Sequence, residues 1–273
     1  MHPILFKIGP FTVYSYGVML VTAFVIGYYF FLQEVKRKKL DERIAIDITI
    51  IAVFCGVIGS KLLFVLENLD QFFVNPIRIV FSSGGFTFLG GLILSFIASW
   101  IYIKVRKYNF LQAADSIAPS LILAYGIGRI GCHLAGDGDY GIPTSLPWGT
   151  NYENGMVPPT RLFNGTEYAN SFPLGIFPNN TPLHPTPIYE FLASLLIFLI
   201  LWKFRKSNWI NGKLVMLYFV LSSFSRFLVE FLRLNPRILF GLSEAQIIAI
   251  VIFTIGMTGF IYLSSERKTP LKV

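Results

Sequence analysis

Charge is scarce in this chain. Only 14% of its 273 residues are Asp, Glu, Lys or Arg, against 54% hydrophobic. That balance excludes a disordered segment or an ordinary water-soluble domain. With a mean hydropathy of +0.61, it indicates a chain that crosses a membrane several times. Cysteine is also scarce: Cys55 falls inside one apolar run and Cys132 at the end of another. Two such positions make neither a disulfide framework nor a metal site, and no metal-ligand cluster stands out elsewhere. The N-terminus lacks a basic stretch leading to a small-residue cleavage site, so no removable signal peptide is expected. There is no long internal repeat and no low-complexity tract.

Apolar runs of spanning length recur at about 13–33, 45–66, 86–103, 113–131, 188–203, 214–234 and 244–263, which predicts seven helices in an all-α membrane protein. The formal net charge of +8 would suggest nucleic acid in a soluble protein. Here the basic residues flank apolar runs, so membrane orientation explains them and no nucleic-acid partner is expected. Lys36 to Arg43 follow the first run, Lys104 to Lys107 the third, Lys203 to Lys213 the fifth, and Arg267, Lys268 and Lys272 the seventh. All four groups fall on one side if the N-terminus is outside and the C-terminus cytoplasmic. Residues 132–187, rich in Pro, Gly, Asn and Thr, then form a small extracytoplasmic head of loops and short strands, an insertion within a single domain covering 1–273. Residues 67–84 are too polar to span and are expected to lie along the interface. Ser243 and Gln246 form a capping box opening the seventh helix. Asn164-Gly165-Thr166 fits a glycosylation triplet, a pattern that recurs by chance.

The ionisable residues inside spans cluster toward the outer face. They are Tyr16 in the first helix, Lys61 in the second, Arg129 ending the fourth, Glu190 opening the fifth, and Arg226, Glu230 and Arg233 in the sixth. The last three are spaced i, i+4, i+7 and share one helix face. An Arg at mid-depth costs roughly 2.5–3.5 kcal/mol on insertion scales. One glutamate for two arginines, with Arg129 and Lys61 added, predicts a pocket of surplus positive charge. A structural ion-pair network is the bland alternative. Guanidinium forks match phosphate oxygens, and the anion available at that depth is a phospholipid headgroup. The segment Gly126-Ile127-Gly128-Arg129-Ile130-Gly131-Cys132-His133, followed by Asp137 and Asp139, ends the fourth helix in glycines around one arginine. Gly90-Gly91 in the third helix permits either close packing or free backbone N–H groups for an anion. His184, set by Pro185 and Pro187 at the membrane boundary, can serve as base or donor.

Together these motifs resemble the prolipoprotein diacylglyceryl transferases of the bacterial inner membrane. The resemblance rests on Tyr16-Gly17, Gly59-Ser60-Lys61, Gly84-Gly85 with Gly90-Gly91-Leu92, Gly128-Arg129-Ile130-Gly131, His184-Pro185-Thr186 with Tyr189-Glu190, and Arg226 to Arg233, in order over most of the chain. It implies transfer of the diacylglyceryl group of phosphatidylglycerol to the lipobox cysteine of a prolipoprotein, with glycerol 1-phosphate leaving and no cofactor. It implies lipid binding by Arg129, Arg226, Arg233, Glu230, Lys61, Tyr16, Gly90 and Gly91. The pattern also departs from the family. Leu89 stands where His or Tyr usually precedes the glycine pair. Cys132 and Ala135 replace two Asn residues, Asp137 falls where a Glu is expected, Gly141 comes one residue late, and Ser222 replaces a Tyr. Proton handling is therefore expected to fall to His133 or His184, with Asp137. Two other functions stay open: a non-catalytic lipid-binding relative (or a transferase for another acceptor), and a small-solute or lipid transporter. A transporter needs polar groups across both leaflets and usually a repeated half, which this chain lacks.

Overall fold

A computed structural model describes residues 1–9, 11–82 and 85–265. Gly84 and the basic group Arg267, Lys268 and Lys272 lie outside the described residues. The described residues contain seven helices long and apolar enough to cross a membrane. These are α1 (Ser15–Arg37), α2 (Arg43–Glu67), α5 (Phe88–Val105), α6 (Phe110–Ala135), α8 (Thr186–Phe204), α9 (Lys213–Val229, extended by a 3-10 turn through Leu232) and α10 (Glu244–Ser265). Residues such as Val21, Val25, Phe54, Leu62, Phe96, Leu196 and Val251 point outward along them, as side chains facing lipid do. α6 differs: 56% of its apolar window is buried, against 11% in each of α2, α5 and α10.

The N-terminus adds an element that hydropathy did not predict. Strands β1 (Ile4–Ile8) and β2 (Phe11–Tyr14) pair antiparallel, Lys7 opposite Thr12. A second hairpin, β3 (Arg237–Leu239) with β4 (Leu242–Ser243), precedes α10. Its turn carries positive φ at both Phe240 (49°) and Gly241 (73°), the conformation of a two-residue hairpin.

The chain divides into two compact units. In Tyr28–Ser116, α2 and α5 meet backbone to backbone. A methyl group on Gly59 would collide with the carbonyl of Gly90, one on Gly90 with the carbonyl of Gly59, and one on Gly91 with Ser60 Oγ and the Gly56 carbonyl. Gly90 and Gly91 thus serve a close helix contact. The predicted interfacial piece is two short helices, α3 (Leu69–Val74) and α4 (Pro76–Phe81), with Phe73, Val74, Ile77 and Phe81 strongly exposed. Lys61 ties this piece down: its Nζ donates to Ser82 O and Ser82 Oγ, each at 2.9 Å, and sits 4.6 Å from the Phe86 ring centre.

The other unit joins Met1–Gly27 to Ile117–Val273. Glycines in α6 set its neighbours. A methyl on Gly126 would stand 2.8 Å from Ser194 Cβ of α8, and one on Gly131 would stand 3.0 Å from Met19 Cβ of α1. Arg129 projects from the turn between those two contacts. The segment between α6 and α8 has its own aromatic core of Tyr140, Tyr152, Phe163, Phe177 and Leu183. In place of the expected short strands it has a one-turn helix, α7 (Pro159–Phe163), two 3-10 turns and isolated bridges such as Thr150–Leu183. Asn164 uses its side chain internally, accepting from Phe177 N at 2.9 Å.

Candidate active site

Five elements of the second unit bring their charges to one place: α6, the loop after it, the start of α8, the end of α9 and the residues just beyond. Glu190 is the hub. Its carboxylate is buried, 3% exposed. Oε1 accepts from the Tyr125 hydroxyl and from Arg226 Nη1, both at 2.9 Å. Oε2 lies 3.2 Å from Arg129 Nε and 3.6 Å from Arg233 Nη1. Arg129 also lies over the Tyr125 ring one turn earlier, 4.9 Å from its centre.

Glu230, fully buried, is the second anchor. Arg226 Nη2 approaches its Oε2 at 2.9 Å, and Arg233 Nε at 4.0 Å. Ser243 Oγ donates to its Oε1 at 2.8 Å, and Asn235 Nδ2 does likewise. The predicted capping box is present: Gln246 N donates to Ser243 Oγ at 3.3 Å and Ser243 N to Gln246 Oε1 at 3.1 Å. Arg237 Nη1 donates to the same Gln246 oxygen at 2.7 Å. The cap that opens α10 therefore also holds Glu230. Three atoms here touch an opposite charge without a well-formed hydrogen bond: Glu190 Oε2, Glu230 Oε2 and Arg233 Nη1.

Two sequence expectations change. Arg226, Glu230 and Arg233 do converge, but not on one continuous helix face. α9 ends at Val229, a 3-10 turn follows, and Arg233 is extended, with φ −101° and ψ 151°. Leaving the helix lets Arg233 reach Asp139 as well as Glu190. The second change is in charge. Asp139 bridges Arg129 and Arg233, one carboxylate oxygen to each guanidinium. Arg129, Arg226 and Arg233 thus face Glu190, Glu230 and Asp139, so the surplus positive charge expected of these arginines is balanced, and Lys61, the other cation of that expectation, belongs to the Tyr28–Ser116 unit.

Asp137 and Cys132 lie beside this cluster. The Cys132 thiol lies 3.9 Å from Arg129 Nη1 and within 4.8 Å of an Asp137 carboxylate oxygen. Burial, with the Asp139 charge added, pushes the Asp137 carboxyl above its ordinary range. Burial would raise Asp139 too, but Arg233 and Arg129 outweigh it and hold that group at about 2. Donor atoms of Cys132, Asp137 and Asp139 lie within 4.8 Å of one another. The two guanidiniums already on Asp139 oppose a cation there. The Tyr16 side chain packs toward Gly131, within electrostatic range of Cys132 and Asp137.

The two histidines face tyrosines. His133 Nδ1 is 2.9 Å from the Tyr152 hydroxyl, and His184 Nδ1 is 3.2 Å from the Tyr189 hydroxyl. Burial lowers the His184 pKa. Lys61, Gly90 and Gly91 belong to the other unit.

A family model described as prolipoprotein diacylglyceryl transferase matches residues 3–262. The chain belongs to the prolipoprotein diacylglyceryl transferase family. Among its relatives, the phosphatidylglycerol–prolipoprotein diacylglyceryl transferase of Clostridium tetani is 31% identical over 262 residues, covering 95% of this chain and 97% of the relative. The protein of the same name from Clostridioides difficile is 29% identical over 272 residues, 99% of each chain. That of Trichormus variabilis is 31% identical over 276 residues, 98% of this chain and 92% of its own. Arg129 lies within the matched span and is paired with both Glu190 and Asp139. Asp139 was noted beside Arg129 in the sequence but given no partner, and Tyr125, Asn235 and the tie from Ser243 to Glu230 were given no role. Balancing every ionisable sign near Arg129 would have paired it with Asp139.

Proposed function

We propose that the protein transfers the diacylglyceryl group of phosphatidylglycerol to the cysteine thiol of a prolipoprotein lipobox. The observation that carries this proposal is the convergence of Arg129, Arg226 and Arg233, from separate elements, around Glu190 and Glu230. The substrate thiolate attacks the diacylglyceryl carbon that bears the phosphate ester. A C–S bond forms, the C–O bond to phosphate breaks, and glycerol 1-phosphate departs with the bonding pair. Arg129 and Arg226 hold the phosphate and stabilise its growing charge, where a water-poor site makes each donor count most. Glu190 and Glu230 fix the two forks; Tyr125 and Ser243 fix the glutamates.

The thiol proton goes to Asp137. Its raised pKa brings it closer to a thiol's, it adjoins Cys132, and Leu89, where the family usually has His or Tyr, cannot take a proton. His133 and His184, each against a tyrosine, are the other candidates for this proton. In this proposal the N-terminus is outside, the C-terminus cytoplasmic, and the segment between α6 and α8 faces the exterior of the bacterial inner membrane, where prolipoproteins are exposed after translocation. The site takes its substrates from the bilayer.

The test is purified protein with phosphatidylglycerol and a lipobox peptide, with mass spectrometry of the peptide. A thioether-linked diacylglyceryl adduct is expected. Arg129→Lys and Arg226→Lys, which keep the charge but lose the fork, should each slow transfer by about a hundredfold or more. Lipid binding without adduct formation would instead favour the non-catalytic relative.

A further inference from the structure

Asp139 holds the place that an incoming anion has to take. Its carboxylate spans Arg129 and Arg233, one oxygen to each, as two oxygens of a bound phosphate would. Arg129, Arg226 and Arg233 are already paired with three acids, Asp137 is a fourth acid nearby, and the fourth guanidinium, Arg237, is turned to Gln246 and the Glu230 carbonyl. A lipid phosphodiester would find the guanidiniums of Arg129 and Arg233 occupied.

The three paired acids are not equally free to leave. Glu190 and Glu230 are 3% and 0% exposed and also hold neutral donors, Tyr125 for one, Ser243 and Asn235 for the other. The Asp139 side chain is 29% exposed, and beyond the two arginines its carboxylate has the Cys132 sulfur and the Asp137 carboxylate within 4.8 Å. Its backbone is fixed independently: the carbonyl accepts from Thr186 Oγ1 and the amide donates to Asp137 Oδ1 at 3.3 Å. The carboxylate can turn away by side-chain rotation alone, without moving the loop. Arg233 Nη1, buried and without a hydrogen-bond acceptor, then has a donor ready for a phosphate oxygen.

Resting on the transferase reading, we infer that Asp139 is an exchangeable counter-anion: the lipid phosphate displaces it from Arg129 and Arg233, and its return helps expel the product. The second half follows from charge. Glycerol 1-phosphate, a monoester, carries more negative charge than the diester it came from, so the same arginines would hold product more tightly than substrate. A competing carboxylate that re-forms both pairs offsets that excess. Asp139 is thus a positioning residue.

The experiment compares wild type with Asp139→Asn in steady-state transfer from phosphatidylglycerol and in direct binding of glycerol 1-phosphate to the detergent-purified protein. The asparagine variant is expected to bind glycerol 1-phosphate about tenfold more tightly, to show a lower KM for the lipid, and to have a lower kcat limited by product release. A merely structural strut gives the opposite: its loss loosens both arginines, so product binding weakens and KM rises. Unchanged or weaker product binding in Asp139→Asn overturns the exchange while leaving transferase activity standing. If wild type neither transfers lipid nor binds glycerol 1-phosphate, both the exchange and the transferase reading fall. Asp139→Ser gives the same comparison should the asparagine variant not be recovered folded.

Discussion

Arg226 of α9 meets Glu190 of α8 at 2.9 Å, Nη1 to Oε1. That carboxylate also faces Arg129 and Arg233, so one negative charge sits among three positive ones. Glu190→Gln keeps the shape and removes the charge. Arg226 then keeps Glu230 and Arg129 keeps Asp139, but the centre of the cluster becomes uncompensated. Breaking a buried pair in this way costs about 3–5 kcal/mol. A large fall in melting temperature and loss of transfer activity are expected. A variant melting with wild type would show that the arginines do not depend on Glu190.

Asp137→Asn separates stability from chemistry. The Asp137 carboxyl is raised by burial and by Asp139, so folding disfavours its charged form. A raised carboxyl takes up its proton more readily folded than unfolded, so it costs stability as pH rises through that elevated pKa. The neutral amide removes the cost, and the variant should melt higher than wild type near pH 7. As the proposed base, Asp137 works only ionised. Wild-type activity should therefore fall on the acid side at a higher pH than an ordinary carboxylate would give, and Asp137→Asn should lose most activity at every pH. If activity survives in Asp137→Asn but not in His133→Ala or His184→Ala, the proton goes to a histidine.

Ser243→Ala tests the link between a helix cap and the site. Ser243 caps α10 and donates to Glu230 Oε1. Loss of a cap costs about 1 kcal/mol, and a buried acceptor left short of a donor adds about 1–3 kcal/mol. The melting temperature should drop. Because Asn235 still holds Glu230 Oε1, transfer should slow less than in Glu190→Gln. Equal stability of Ser243→Ala and wild type would remove the cap from the account of the site.

The seven spans were legible because each is a long apolar run, and lipid leaves the backbone few alternatives to helix. The capping box was legible because it is a local pattern. The N-terminal hairpin was not: Ile4–Ile8 and Phe11–Tyr14 are too short to separate from the apolar run that follows. Arg233 showed its identity but not its backbone, since helical spacing gave no warning that α9 would stop at Val229. The charge balance was missed for a different reason. Asp139 and Glu190 come from elements distant in sequence from α9, and only the fold puts them on its arginines. Asp139 also lies in a loop, where no periodicity says which way a side chain turns.

Gly90→Ala tests the closest helix contact in the Tyr28–Ser116 unit. The sequence left Gly90 and Gly91 with two uses, packing or anion binding by free N–H groups. Gly90 N donates to Thr87 O at 3.1 Å, so its amide is taken up at the start of α5. An added methyl would meet the Gly59 carbonyl and Leu63 Cβ, neither of which is the free end of a flexible chain. The helices must therefore move apart, and overpacking of this kind costs about 1–3 kcal/mol. Alanine has the better helix propensity, by about 1 kcal/mol, which offsets part of that cost. A net loss of stability is expected, larger than for Gly17→Ala, where an added methyl meets nothing within 4 Å. If Gly90→Ala instead melts with wild type but loses lipid affinity, the glycine serves the substrate and not the packing of α2 on α5.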